Sequence, residues 1–588
     1  MFTTRPELVG NLGMVASTHW LASASGMAML ERGGNAFDAA VAAGFVLQVV
    51  EPHLNGPGGE VPILLHAAGN GETAVLAGQG PAPRAATIDR YRDLGLDLVP
   101  GTGQLAACVP GAVDAWLTLL ERYGTLSFPE VIEPAISYAR NGFPALPSIS
   151  RTIATVADQF SEHWPSSAEL YLRDGAAPPA GARLTNPVLA DTYQKLSDAA
   201  GTATGREAGI NAARDAFYRG FVAEAIGRFA EVAVRDVSGR DHRGLITAQD
   251  LANWRTPVEE PLSYDYHGFR VFKTGPWGQG PVFAQQLALL AGYDLATLDP
   301  DGPDFIHTVV ECSKLAYADR EAYYGDPEFV DVPLKTLLSA EYNDARRALV
   351  GDTADGELRP GSPDGRPPRL PVIAAPTGGA AGAGEPTVDR SGTTRGDTCH
   401  VDVVDAAGNF VSATPSGGWL QSNPVIPELG FALGSRAQMF WLEEGLPASL
   451  APGKRPRTTL TPSLAFRDGA PYLAFGTPGG DQQDQWSLQL FLRHVHSGQN
   501  LQEAIDAPAF HSAHFPSSFW PRESAPRQLV VESRYPASTI EELRRRGHEV
   551  TVGDGWSLGR LSAVSKGSDG FLRAAANPRG MQGYAVGR

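Results

Sequence analysis

The chain has 588 residues, 43% of them hydrophobic and 19% charged, with a formal net charge of −17. That is an ordinary soluble composition, long enough for two to four domains or one large layered unit. The acidic balance argues against general nucleic-acid binding, and three widely spaced cysteines (Cys108, Cys312, Cys399) argue against a disulfide framework. No apolar run of about 18 residues occurs, and Met1 to Glu7 lack the apolar core of a signal peptide, so a cytoplasmic chain without a membrane span is expected.

The first predicted helix covers 20–31 and ends at Gly33-Gly34. Asn35 then caps a second helix whose body, Ala39 to Leu47, is apolar all round and must be covered on more than one side. The glycines of Asn55 to Glu60 lack phosphate-loop spacing and read as a tight turn. Leu76 to Pro83 reads as loop. Helices follow from Val109-Pro110-Gly111 to Tyr123 and over about 129–140, and 145–260 is mainly helical, with a capping-box start at Thr247 to Asp250. Tyr266 to Phe272 is expected as one strand, and Gly275 to Pro281 as a rigid loop feeding a helix.

Residues 351–397 are rich in Pro and Gly, carry no aromatic residue, and read as a linker or functional loop. Then the pattern turns to strands. From Thr398, alternation puts Cys399, Val401 and Val403 on one face and His400, Asp402 and Val404 on the other. Hairpin turns are expected at Asp405–Asn409, at Asp468-Gly469 and at Ser568 to Gly570. Helices are expected over about 482–496 and 538–546, with strands at Leu529–Val531 and near Val550. The chain thus divides into a helix-rich part (1–350), the linker (351–397) and a strand-rich part (398–588). Strands flanked by sheet-facing helices suggest an α+β fold of four layers, helix–sheet–sheet–helix.

A flexible approach to a strand that opens with Thr is what a self-cleaving proenzyme needs. Breaking the Asp397–Thr398 bond would give Thr398 a free α-amine beside its own hydroxyl. With a reference pKa near 7.7–8.0, against about 10.4 for lysine, that amine is partly neutral at pH 7 and can serve as base. Two rival constellations are weaker. Gly555-Trp556-Ser557-Leu558-Gly559 matches a GxSxG elbow, but Leu561 to Lys566 reads as a strand instead of the required helix, and no His follows Ser557. His494, His496, His511 and His514 lack a carboxylate or thiolate that would complete a metal set, and the first pair points apart on a helix.

An ordered set of short motifs, running from Gly33 to Ala40 through Asn55 to Gly59, Val109-Pro110-Gly111, Ala316-Tyr317-Ala318-Asp319-Arg320, Gly325-Asp326-Pro327, Thr398, Lys454-Arg455-Pro456, Thr458-Thr459 and Pro478-Gly479-Gly480, resembles the γ-glutamyltranspeptidase family of N-terminal-nucleophile (Ntn) hydrolases over most of the chain. The resemblance implies the four-layer αββα sandwich, with Thr398 as self-cleavage residue and nucleophile. Ser416, in Thr414-Pro415-Ser416, would bond the nucleophile. The N–H groups of Gly479 and Gly480 would form the oxyanion hole, and Thr414, Thr458 and Thr459 would stand along the substrate. Where the family binds an amino-acid zwitterion with Arg, Asp and Asn, this chain has Gln79, Met439 and Gly418, while Arg436 offers a carboxylate contact from another direction. Losing two charge-assisted contacts of about 1.5–3 kcal/mol each would weaken γ-glutamyl binding by roughly 10²–10⁴.

The resemblance therefore implies an autoprocessed amidohydrolase acting on a small acyl amide, with water or an amine or peptide acceptor resolving the acyl-enzyme, and no cofactor or metal. True γ-glutamyl transfer or glutathione hydrolysis stays open as an alternative, as does a catalytically silent binding homologue. Two subunits from one cleaved chain are expected, with a dimer of that pair left open.

Overall fold

The computed structural model describes residues 2–372 and 398–588. Asp397 and the part of the expected linker from 373 onward lie outside them. The fold is a mixed α/β arrangement built on two seven-stranded antiparallel sheets. The first runs in the order Tyr584–Gly587, Gly13–Ser17, Val401–Asp405, Phe410–Ala413, Val61–Ala67, Glu72–Gly78, Val258–Glu259. The second runs Leu8–Gly10, Leu572–Ala576, Ser562–Lys566, Ala470–Gly476, Ser463–Arg467, Phe269–Lys273, Leu262–Tyr266. Each sheet takes strands from both sides of the expected linker, so residues 1–350 and 398–588 are not separate bodies.

The strand Val401–Asp405 is paired on both sides, with Gly13–Ser17 and with Phe410–Ala413. All five of its residues are buried. Its alternation is the expected one: Cys399, Val401 and Val403 join the helices of the first core, whereas Val404 joins a second core with Leu464, Ala474 and Val564 of the other sheet. The far side of the second sheet, including Val271, Leu473 and Phe475, packs with helical residues such as Phe283, Val310 and Phe491.

The helix Ala36–Val50 is buried along its whole length, as its all-round apolar pattern requires. Its start is closed by a capping box: the Asn35 side chain accepts from the N–H groups of Phe37 and Asp38, and the Asp38 carboxylate accepts from the Asn35 N–H. At its centre a Cβ on Gly44 would stand 2.4 Å from the Trp116 ring, so only glycine lets helix Ala112–Tyr123 come this close.

Two hairpins show what turn chemistry reveals and hides. Asp468 (φ 51°) and Gly469 (φ 82°) form the Asp-Gly type of turn that a two-residue hairpin favours. The expected single strand from Tyr266 to Phe272 is instead a hairpin, Leu262–Tyr266 with Phe269–Lys273. His267 (φ 47°) and Gly268 (φ 80°) take the same left-handed pair, and His in the first position gives a fainter signal than Asn or Asp.

Residues 351–361 run along the helix Pro303–Tyr323 and are held through their backbone. His307 Nε2 bonds the Gly351 carbonyl at 2.8 Å, Lys314 Nζ donates to the Asp355 carbonyl at 3.0 Å, and the Gly361 N–H donates to Asp319 Oδ1 at 2.7 Å.

Candidate active site

Thr398 opens the strand region beside Val401–Asp405 and forms an antiparallel bridge with Ser416. Both residues are buried, and their hydroxyl oxygens are 3.2 Å apart. Ser416 is gripped from the opposite side by Glu60, whose N–H and carbonyl exchange two 2.9 Å backbone bonds with it. The Thr398 carbonyl accepts from Arg560 Nη2 at 3.2 Å. Next along the strand, His400 Nε2 faces Asp402 Oδ1 at 3.0 Å and His400 Nδ1 faces Thr414 Oγ1 at 2.9 Å. Asp402 also accepts from Ser412 and Ser562, which ties the two sheets together. Both ring nitrogens of His400 are thus engaged, one by the carboxylate and one by the Thr414 hydroxyl.

Gly479-Gly480 forms the turn between the strand Ala470–Gly476 and the helix Gln483–Ser497. Gly479 has φ 130° and Gly480 φ 51°, both positions that side chains disfavour, and a Cβ on Gly479 would stand 2.2 Å from the Trp486 ring. The peptide units that follow the two glycines are fixed from behind. Tyr317 Oη donates to the Asp481 carbonyl at 2.5 Å, and Gln279 Nε2 lies 3.4 Å from the carbonyls of Gly480 and Asp481. Arg320, stacked on Tyr317 and Phe515, binds Asp481 and Glu321, and Arg457 binds Glu321 and the Ser518 hydroxyl. Burial opposes ionisation of Asp481, but Arg320 and two hydrogen bonds from Ser518 outweigh it and hold the carboxyl below its usual range. Arg560 links turn and nucleophile, because its own N–H donates to Thr477 Oγ1 at 2.9 Å.

The structure brings Thr398, Ser416 and Arg436 together, with Met439 beside Arg436. Arg436 Nη2 donates to Ser416 Oγ at 3.0 Å, and its Nε donates to Glu60 Oε1 at 2.6 Å. The carboxylate it meets is thus one from this chain. Burial pushes the Glu60 carboxyl up, with Arg436 opposing. Met439 lies in a buried cluster with Trp419 and Phe519, its sulfur 3.7 Å from Arg436 Nη1. Gln79 is buried, donating to the Gly80 carbonyl, while its Oε1 has no partner among the described residues. Thr458 bridges to Gly278, and Thr459 Oγ1 is buried without a partner among the described residues. The Thr414 hydroxyl is taken by His400. Gly418 packs against Gly56 and Gly58–Gly59; a Cβ there would stand 3.1 Å from the Ala432 carbonyl and the Gly59 nitrogen, and its φ of 69° disfavours a side chain.

Sequence reasoning missed Glu60 altogether and gave Tyr317 and Arg320 no task beyond a family match. A buried charge facing a glycine-rich loop was the available signal. Among the described residues His307, Glu311 and His548 cluster closely enough for a metal ion, but Lys314 and Arg359 already bind the Glu311 carboxylate, which leaves little charge for a cation. His494 and His496 bond Tyr472 and Tyr266.

A family profile described as gamma-glutamyltranspeptidase matches residues 22–587. The acylase ACY 1 proenzyme of Pseudomonas sp. (strain SE83) is 32% identical over 580 residues, covering 96% of this chain and 92% of that one. The oxamate amidohydrolase proenzyme of Klebsiella pneumoniae subsp. pneumoniae is 30% identical over 590 residues, covering 98% and 99%. Among solved structures, that of LmbA2991HD is 56% identical, with a TM-score of 0.94 and full coverage of both chains.

Proposed function

This chain belongs to the gamma-glutamyltranspeptidase family of Ntn amide hydrolases, and we propose that it is an autoprocessed amidohydrolase that cleaves a small acyl amide through an acyl-enzyme on Thr398. The observation that carries this reading is the buried Thr398–Ser416 hydroxyl pair at 3.2 Å, at the end of a strand locked on both edges. Cleavage before Thr398 would free its α-amine as the base, and Gly479 and Gly480 would receive the developing oxyanion. The core contacts favour the helix–sheet–sheet–helix layering of an Ntn hydrolase, with residues 1–397 and 398–588 as the two products of one chain.

For the substrate, we favour an acyl group without an α-ammonium. Met439 sits in an aromatic cluster and offers a buried ammonium only a weak sulfur acceptor. The relatives named as acylase and oxamate amidohydrolase are consistent with that preference. γ-Glutamyl transfer remains the comparison substrate class.

Wild type should separate into fragments 1–397 and 398–588, and Thr398→Ala should stay one chain. A small fragment beginning at another residue would remove Thr398 from its role. On processed protein, a panel of glutaryl, oxamate and γ-glutamyl amides should give the γ-glutamyl member the lowest kcat/KM. A tenfold preference for it would restore the transpeptidase reading.

A further inference from the structure

We propose that Arg522 is the receptor for a carboxylate at the far end of the acyl group, which makes the substrate the monoamide of a short dicarboxylic acid. The inference deepens the reading of Thr398 as nucleophile and rests on it. Arg522 is buried, and among the described residues it forms no ion pair. Its Nη2 donates to the carbonyls of Gln438 and Phe440 at 2.9 and 3.1 Å, its Nη1 reaches the Ser517 carbonyl at 3.5 Å, and its Nε has no partner among the described residues. A guanidinium carries five N–H groups. Both of those on Nη2 are committed to the main chain, while the one on Nε and one on Nη1 remain to donate. The group also lies over the Trp441 ring, 4.3 Å from its centre. Carbonyls and a ring face ease the burial of a cation, but they bring no full negative charge.

The neighbours deepen the imbalance. Arg320 pairs with Asp481 and Glu321, and Arg457 pairs with the same Glu321. With Arg522, three buried arginines thus face two carboxylates, and neither carboxylate forms an ion pair with Arg522. Burial and the nearby Arg457 push the Arg522 pKa down to about 9, with Glu321 and Asp481 opposing, so the group is still charged at pH 7. A buried charge without a counter-ion is costly, and an incoming anion would complete the set. The backbone of Arg522 is strained as well: its φ of 70° is a value that a side chain adopts where its surroundings impose it.

Its place in the fold says which anion. The short segment from Ser517 to Arg522 touches both halves of the proposed site. Ser518 binds Asp481, the residue after Gly480, through its N–H and its hydroxyl. Phe519 packs with Trp419 and Met439. The two carbonyls that Arg522 holds are those just before and just after Met439, and Met439 lies beside Arg436, which reaches Ser416 and through it Thr398. Arg436 already has the Glu60 carboxylate against it. An acyl chain that starts on Thr398 and lays its methylenes along Met439 and Phe519 therefore runs toward Arg522. Because the guanidinium is buried beneath these residues, the anion that suits it is one carried in on the substrate.

The test uses full-length protein after self-cleavage, with Thr398 verified as the new N-terminus. Its substrates are anilides paired by chain length, oxalyl with acetyl, succinyl with butyryl and glutaryl with pentanoyl, so that each pair differs in the terminal carboxylate. In wild type at least one dicarboxylic member should exceed its match in kcat/KM by about tenfold or more. Arg522→Met should reduce that ratio by about 10–100-fold, the effect of one charge-assisted contact, chiefly through KM, and Arg522→Lys should restore part of it. A second readout needs no turnover: the free diacid of the preferred length should raise the thermal midpoint of wild type more than the matching monoacid does, and Arg522→Met should erase the difference. If Arg522→Met arrives unfolded or uncleaved, Arg522→Lys is read in its place and should lower both the ratio and the midpoint difference. A wild type that treats the two members of every pair alike would overturn the proposal. So would a Met variant in which both members fall together, since a residue that merely holds the carbonyls of Gln438 and Phe440 would act in that way. Failure of the underlying reading shows differently, as a fragment that does not begin at Thr398 or a Thr398→Ala protein that still cleaves itself, and the midpoint comparison then still reports on Arg522.

Discussion

Thr398 and the Gly479-Gly480 turn, the two halves of the proposed site, are held in place by different means. On the nucleophile wall, Thr398 and Ser416 are placed by strand register: the adjoining strand is paired on both edges and its faces are closed by two apolar cores. On the opposite wall, the Gly479-Gly480 turn is fixed by buried charges and side-chain bonds reaching in from the helix Pro303–Tyr323 and from Ser518. On the proposed reading, the difference follows from what each wall would deliver. A side-chain nucleophile needs its Cα in one place, and a ladder supplies that. An oxyanion hole made of backbone N–H groups needs its peptide planes turned, and a plane is held only if the carbonyls of the turn are also bonded. The carbonyls that share planes with the two glycine N–H groups are those of Pro478, which accepts from Thr477 Oγ1, and Gly479, which accepts from the Gln482 N–H, while Tyr317 and Gln279 hold the next two carbonyls of the turn.

The sharpest way to break this contrast is to remove the charge that carries the turn. Arg320→Met should lower stability by about 3–5 kcal/mol, since Asp481 and Glu321 would stay buried with one cation fewer. The thermal midpoint and kcat should fall together. An unchanged midpoint would mean that Arg320 is not what holds the turn. Next comes the turn itself. Gly479→Ala should reduce kcat by about 10²–10³, the effect of losing one oxyanion donor, because the new methyl meets Trp486 in a backbone conformation that alanine avoids. A folded, processed variant with normal kcat would move the oxyanion site elsewhere.

The nucleophile wall should answer more mildly. Thr414→Val keeps the strand and its apolar shape but strips the hydroxyl from His400 Nδ1, leaving a buried ring nitrogen unpaired at about 1–3 kcal/mol. Self-cleavage should persist at a reduced rate. If Thr414→Val abolished cleavage while remaining as stable as wild type, its hydroxyl would be doing chemistry at Thr398 and the ladder account of this wall would be too simple.

The same contrast sets what the sequence could disclose. The nucleophile wall was readable, because strand alternation from Cys399 to Val404 and the turn at Asp405–Asn409 are local patterns. Asp405 Oδ1 accepts the N–H groups of Gly408 and Asn409, as such a turn requires. The helix Ala36–Val50 was readable for the same reason. The turn's glycines were visible, but their support was not, since Arg320 meets Asp481 across 161 residues and Arg436 meets Glu60 across 376. Pairings of that range leave no periodicity. The hairpin at His267-Gly268 was missed at short range, where a less usual residue took the left-handed position.

The smallest effect concerns Lys454, on the segment that also carries Arg457 into the turn's support. Its Nζ donates to the carbonyls of Pro447 and Ser449, and burial lowers its pKa from 10.5 to about 8, opposed by Asp326. Below pH 8 the lysine is protonated in both folded and unfolded chains, and the fold bears the full desolvation penalty. Between about pH 8 and 10.5 the unfolded chain binds more protons at this site than the folded one, so this residue's contribution to stability rises with pH. Lys454→Met removes the titration but leaves every tyrosine and cysteine that also responds at alkaline pH. The stability of wild type relative to Lys454→Met should therefore improve by about 1–2 kcal/mol between pH 7.5 and 9.5, seen as a gain of about 1–2 °C in relative thermal midpoint. Parallel curves for the two proteins would mean that Lys454 keeps its charge solvated. The supporting segment would then impose no burial penalty on this lysine, and the contrast between a wall held by register and a wall held by buried charge would narrow to Arg320, Glu321, Arg457 and Asp481.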